Sequence, residues 1–287
     1  MRGGIGARTQ VVTIEDAGGV RSNAVLRVYL PREALDLERA RREFRTIDLV
    51  HAAGVPSPNP LFLDAEGAYF GTPAMLLSYI PGRPMYQPRD VSSWCGGLVR
   101  AMRSIHAITP EAHDLGWLPR FGREEMAAEL EELQGKVAVH EDALAREVLE
   151  VLDAGFDRVG WPNGCLTHED FWPGNTVWYR GQLVGVIDWA NAKVGDPRID
   201  LSQCRIDALL ANGIEVSDAL RDAHADMAPD EVRDLWFIDL FQGLKALLYY
   251  EIWLTGYRDA GLLHVTPKQS LERIRRFLQT ALENSKK

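Results

Sequence analysis

Leu166 to Asp188 reads LTHEDFWPGNTVWYRGQLVGVID, and no other stretch restricts the fold as tightly. After an apolar beginning it presents His168, Asp170 and Asn175, and at its far end, after Leu183-Val184-Gly185-Val186-Ile187, a second carboxylate, Asp188. Pro173 and Gly174 interrupt regular structure between Asp170 and Asn175, so those two side chains can project from a loop. Thr176-Val177-Trp178-Tyr179 and Leu183 to Ile187 are rich in strand formers, and Arg180-Gly181-Gln182 supplies the turn between them. A tight hairpin returns Asp188 to the neighbourhood of Asn175. Oxygen donors of this kind suit a hard cation such as Mg2+, which takes few protein ligands and completes its shell with phosphate and water. Asp170 then remains available as a base.

The stretch resembles the catalytic segment of the aminoglycoside phosphotransferase family, the small-molecule branch of the protein-kinase-like fold. The family pattern is H-G-D-x-x-x-x-N followed by a hydrophobic strand ending in I/V-D-W/F. His168, Asp170, Asn175, Ile187, Asp188 and Trp189 match it, and Gly195-Asp196-Pro197 with Asp200-Leu201 matches a following G-D-P-x-x-D-L element. Glu169 departs from it, standing where the family has glycine. The resemblance implies an α+β, two-lobed protein-kinase-like fold: a small antiparallel-sheet lobe over residues 1–80 that binds nucleotide, and a larger, mostly helical lobe over 81–287 that carries catalysis and substrate. It also implies Asp170 as base, Asn175 and Asp188 as Mg2+ ligands, and ATP or GTP as co-substrate. His168 and Asp200 are expected to brace the loop.

Length and composition accommodate this expectation. The chain has 287 residues, 46% hydrophobic and 25% charged, enough for two lobes that share a cleft. A formal net charge of -9, with no long run of Lys or Arg, argues against a nucleic-acid-binding surface and favours a cationic or neutral acceptor. Cys95, Cys165 and Cys204 are widely spaced and lack any C-x-x-C arrangement, which suggests neither zinc nor a disulfide framework and fits a reducing cytoplasm. No run approaches the roughly 18 apolar residues of a membrane helix, so no membrane partner is expected. The sequence is silent on oligomeric state.

In chain order, Gly3 to Ala7 form a glycine-rich turn, Thr9 to Ile14 alternate as a strand, and Ala24 to Leu30 form a second strand. The resemblance places such a turn over the nucleotide phosphates, with Gly4 and Gly6 as the close-approach positions. The family carries a strand ahead of this turn, so the expectation here is a trimmed lobe or a start upstream of Met1. Arg27, within Val25-Leu26-Arg27-Val28, stands where the family has a basic residue that holds the phosphates. A helix over Arg32 to Ala53 puts Ala40, Glu43, Ile47 and Val50 on one stripe. Glu43 on that apolar stripe requires a partner, and Arg27 is its expected one, as in kinase-like enzymes.

Leu61 to Asp64 and Ala68 to Ile80 read as two more strands around a Glu66-Gly67 turn, and Ser78, Tyr79 and Ile80 resemble the family's hinge against the nucleotide base. Amphipathic helices follow over Val91 to Ile108 and within Glu124 to Ala154, His106 being structural, and another runs from Leu201 to Ala211. The last third is helical and aromatic. By resemblance its helices line the acceptor pocket, which makes Asp239 and Glu251 the candidate substrate carboxylates. The chain ends Asn284-Ser285-Lys286-Lys287, basic where aminoglycoside enzymes often place an acid, so the acceptor is expected only as a small-molecule hydroxyl. The alternative is a catalytically weak nucleotide-binding pseudokinase serving as sensor or scaffold, and Glu169 motivates it.

Overall fold

The structure is a computed structural model that describes residues 7–15, 17–30, 37–140 and 142–286. Gly4 and Gly6 lie outside the described residues, as do the first residues of the expected helix from Arg32. The chain divides into two compact units. One comprises the described residues of Met1–Pro84 together with Asn175–Ala192, and the other comprises Met85–Gly174 and Lys193–Lys287. The sequence-based division at residue 80 did not include the later segment in the first unit.

The first unit is built on a four-stranded antiparallel sheet of β1 (Ala7–Glu15), β2 (Arg21–Tyr29), β3 (Pro60–Asp64) and β4 (Ala74–Ser78), in the order β1-β2-β4-β3. Helix α1 (Leu37–Ala52) buries Ala40, Glu43, Ile47 and Val50, the stripe that their spacing defines. The expected strand from Ala68 is a correction. Residues 65–73 are turns because the buried Asp64 carboxylate accepts the N–H groups of Ala68, Tyr69 and Phe70 at 2.8, 2.8 and 3.3 Å, diverting that backbone from any sheet. Only Ala74–Ser78 pairs as a strand.

The second unit holds α2 (Val91–His106), β5 (Arg120–Phe121), α3 (Arg123–His140), α4 (Ala143–Gly155) and β6 (Cys165–Thr167). Asp90 and Asp142 cap α2 and α4, accepting N–H groups that a helix start otherwise leaves unpaired. Within the first unit again, β7 (Thr176–Tyr179) and β8 (Gln182–Val186) form the predicted hairpin. Arg180 and Gly181 both take positive φ, 50° and 79°, the two-residue turn whose twist matches paired strands.

The chain returns to the second unit with β9 (Lys193–Gly195), which joins β5 and β6 in a small sheet. Then follow α5 (Arg198–Asn212), α6 (Ile214–Met227), α7 (Leu235–Asp259) and α8 (Pro267–Asn284). Their core includes Ile206, Leu209, Phe237, Phe241, Leu244, Phe277 and Leu278, all essentially buried. Within the described residues no helix is long and apolar enough to cross a membrane.

Candidate active site

In the first unit a cationic centre forms around Arg27. Strand alternation puts Arg27 and Tyr29 on the same face of β2, and α1 brings Glu43 to that face. Glu43 is 2% exposed. Its Oε2 accepts the Tyr29 hydroxyl at 2.5 Å, and its Oε1 lies 3.5 Å from Arg27 Nε. Arg27 Nη2 donates to Asp188 Oδ1 at 2.8 Å, so one guanidinium spans both carboxylates. Burial raises the Glu43 titration above the ordinary carboxylate range, and Arg27 opposes that shift. Burial also works against the Arg27 charge, but Glu43 and Asp188 hold its proton more firmly than usual. Tyr29 was not anticipated from sequence; its position two residues beyond Arg27 on an alternating strand is the signal that could have found it.

The hairpin sets Asp188 against Asn175. Thr176 pairs with Val186, and the Ile187 N–H donates to the Asn175 carbonyl at 2.9 Å, so both residues stand at the open end of the hairpin. Asn175 is buried and Asp188 half-buried, with Asp188 in the left-handed region at φ 67°. An amide and a carboxylate are the hard oxygen donors that Mg2+ prefers, and a two-ligand set suits a cation that keeps water and phosphate oxygens in its shell. Of the expected hinge, Ser78 is fastened to the α1–β3 loop: its N–H donates to the Asn59 carbonyl and its hydroxyl accepts the Asn59 N–H, both at 2.8 Å. Tyr79 and Ile80 follow it half-buried, and Ile80 packs against Gly185 of β8.

In the second unit the loop after β6 is organised by Asp200, which is completely buried near the start of α5. Asp200 Oδ2 accepts the His168 N–H at 2.9 Å and the His106 Nε2–H at 3.0 Å, and Oδ1 accepts the Glu169 N–H at 2.9 Å. Burial alone would raise its titration, but the His106 hydrogen bond and its neighbours outweigh burial and hold the carboxyl below the usual range. His168 is fully buried and meets Phe171 edge-on at 6.0 Å. Asp170 follows half-buried, and a single 3-10 turn occupies Pro173–Asn175.

Glu169 takes φ 63°. This left-handed conformation is open to glycine without penalty and costs other residues on the order of 1 kcal/mol. The family's glycine and the departure here therefore concern one backbone requirement. The structure meets that requirement with a glutamate. The loop's next aromatic, Trp172, packs between Tyr86 and Tyr257, with ring centroids 5.8 and 5.7 Å away. Tyr257 donates to the buried Asp207, whose titration burial pushes up to about 6.

The two acceptor candidates separate. Asp239 is buried on α7, where Oδ1 accepts the Ser202 hydroxyl at 2.8 Å and Oδ2 is hydrogen-bonded by Arg205 Nη1. Its carboxylate is thus taken up by an internal ion pair. Glu251 is exposed and accepts the neighbouring Tyr250 hydroxyl at 3.3 Å.

Comparison with known proteins follows the same lines. The model of the "Phosphotransferase enzyme family" (APH) matches residues 2–236. The chain belongs to that family. Among solved structures, macrolide 2'-phosphotransferase MphH from Brachybacterium faecium superposes with a TM-score of 0.61 at 19% identity, covering 97% of this chain and 90% of that one. A thermostable mutant of aminoglycoside phosphotransferase APH(4)-Ia, in ternary complex with ADP and hygromycin B, gives 0.64 at 17% identity, covering 99% and 92%. The streptomycin-ATP-APH(2")-IIa ternary complex gives 0.57 at 15% identity, covering 91% and 93%. These likenesses establish the fold: a small antiparallel-sheet lobe and a helical lobe of the kinase-like type. Aligned over 201 positions, the chain is 24% identical to mouse acyl-CoA dehydrogenase family member 10. The match covers 63% of this chain but only 18% of the mouse protein.

Proposed function

We propose that this phosphotransferase moves the γ-phosphoryl group of ATP or GTP onto a hydroxyl of a small molecule. The observation that carries the reading is the Arg27 guanidinium held between buried Glu43 and Asp188, an arrangement suited to gripping phosphates beside a cation-binding carboxylate. Related structures holding ATP with streptomycin, or ADP with hygromycin B, support a nucleotide and a hydroxylated small molecule as the two substrates.

In this reading Asp170 accepts the proton of the acceptor hydroxyl as its oxygen forms a bond to the γ-phosphorus. The bond between that phosphorus and the bridging oxygen breaks, and the nucleoside diphosphate leaves. Asn175 and Asp188 would hold Mg2+, which supplies charge neutralisation on the phosphates. Arg27 grips the nucleotide, and Ser78, Tyr79 and Ile80 face its base. His168 and Asp200 keep the loop in shape so that Asp170 is presented in one orientation. Phosphoryl transfer asks the protein mainly for position and charge, so this short set suffices. The negative net charge favours a neutral or cationic acceptor.

The test is a product-detected screen of hydroxylated acceptors with Mg-ATP and Mg-GTP, run on the wild type and on Asp170→Ala. Turnover of the variant should fall by roughly 10²–10⁴-fold, the range of general-base catalysis, while the thermal shift produced by Mg-ATP stays. Variant turnover within a few fold of wild type would remove Asp170 as the base. Nucleotide binding by the wild type without turnover on any acceptor would favour the pseudokinase.

A further inference from the structure

Glu169 has no part in the reading above, although it immediately precedes Asp170. Its side chain is 9% exposed and folds back onto the small sheet of the second unit. Oε1 accepts the Thr167 hydroxyl at 2.9 Å, and Oε2 lies 3.5 Å from Lys193 Nζ. Thr167 and Lys193 are register partners on β6 and β9, so the glutamate is clamped across two paired strands. Its own N–H is fixed on Asp200. Gly195 makes the space: a Cβ there would stand 3.3 Å from Glu169 Oε1 and 3.1 Å from Thr167 Oγ1, tighter than ordinary contact.

We propose that Glu169 is a positioning residue for phosphotransfer, its carboxylate clamp on Thr167 and Lys193 locking the left-handed turn from which Asp170 is presented. The inference rests on Asp170 being the base. A glycine at this position adopts the turn freely but is equally free to leave it. A clamped glutamate pays a local strain and in return restricts the backbone to one well.

The clamp is also sensitive to protonation. Four groups act on the carboxylate: Thr167 and Lys193 by direct contact, and through space the Asp200 charge, which disfavours its ionisation, and Lys245 of α7, itself paired with Glu129 at 2.6 Å, which favours it. Burial, offset in part by Lys193, pushes Glu169 up to about 7. The ion pair with Lys193 therefore forms as pH rises through neutrality, and Asp170 is best held above it.

The experiment measures Mg-ATP hydrolysis, with water as acceptor, by the full chain. Wild type, Glu169→Gln, Glu169→Gly and Asp170→Asn are compared on both sides of neutral pH. Melting temperature and amide exchange over residues 166–175 are read in parallel. Both Glu169 variants should lose roughly tenfold to a hundredfold in kcat, as small misplacements of catalytic groups do, with KM for Mg-ATP within about twofold. The wild-type rise of kcat near neutrality should be absent from Glu169→Gln, and exchange should quicken within 166–175 alone. Wild-type kcat and pH profile in both Glu169 variants, beside an inactive Asp170→Asn, would overturn the positioning role and leave the base. An active Asp170→Asn would overturn the base itself. Parallel loss of melting temperature and faster exchange across the whole unit would reduce Glu169 to a structural residue.

Discussion

Glu43 and Glu169 are two glutamates withdrawn from water, one in each compact unit, and both are paired with a cation. Both carboxyls titrate above the ordinary range because of burial. Their partners differ. Glu43 meets Arg27, 14% exposed and bonded in addition to Asp188, whereas Glu169 meets Lys193, which is 31% exposed. A guanidinium cannot lose its proton and offers several donors in a fixed plane, so it can tie two carboxylates permanently. An ammonium on a flexible, partly hydrated stem holds one loosely. In the proposed reading the first arrangement is a phosphate grip already present before nucleotide arrives, and the second is a clamp whose ionic half sets in only when Glu169 ionises.

The largest effect that would break this contrast is at Arg27. Arg27→Met should destabilise the protein by about 3–5 kcal/mol in denaturant unfolding, because Glu43 is left buried without its cation. Adding Glu43→Gln should recover part of the loss, since the stranded charge is removed with its partner. A double variant no more stable than Arg27→Met would show that Glu43 depends on Tyr29 instead.

The first of these pairs was legible in the sequence and the second was not, for a physical reason. Helical spacing put Glu43 on the stripe of Ala40, Ile47 and Val50, and a lone acid on an apolar face has few ways to be satisfied. Likewise Pro173-Gly174 and the two strand-forming runs were enough to set the hairpin that places Asp188 beside Asn175. At Glu169 only the departure from glycine was visible, because neither the φ of 63° nor the pairing of Thr167 with Lys193 across strands has a local signature. The misjudged strand from Ala68 failed similarly: Asp64 takes three backbone N–H groups through its side chain, and strand propensity carries no trace of that competition. Asp239 was unreadable because α7 is apolar on nearly every side, leaving no face by which to tell an internal acid from an accessible one.

A middle-sized effect belongs to the group that underlies the second pair. Asp200→Asn weakens its bonds to the His168 and Glu169 amides and to His106, at a cost of about 3 kcal/mol at neutral pH. The sign with pH follows from its lowered titration. The ionised native carboxylate contributes stability that is present above the unfolded aspartate range and lost as pH falls through its lower folded value. The variant should lack that acid-side decline, which urea unfolding at neutral and acid pH would detect. Equal stabilities at neutral pH would mean that the loop is held by something other than Asp200.

The smallest effect separates the two glutamates most directly. Lys193→Met keeps the aliphatic stem against Phe121, whose ring centre lies 4.6 Å from the ammonium, but removes the charge. A partly hydrated pair of this kind is worth up to about 1 kcal/mol. The native Glu169 holds its proton to about pH 7, later than in the unfolded chain, so its burial erodes stability as pH rises from the unfolded glutamate range toward 7. Lys193 limits that erosion, and it can do so only once the carboxylate ionises. The stability difference between wild type and Lys193→Met should therefore be close to zero well below neutrality, grow as pH passes about 7, and level off once both proteins have titrated. A pH-independent difference for Lys193→Met would mean that the lysine acts on Phe121 alone, and that Glu169 is clamped by Thr167 without an ionic partner.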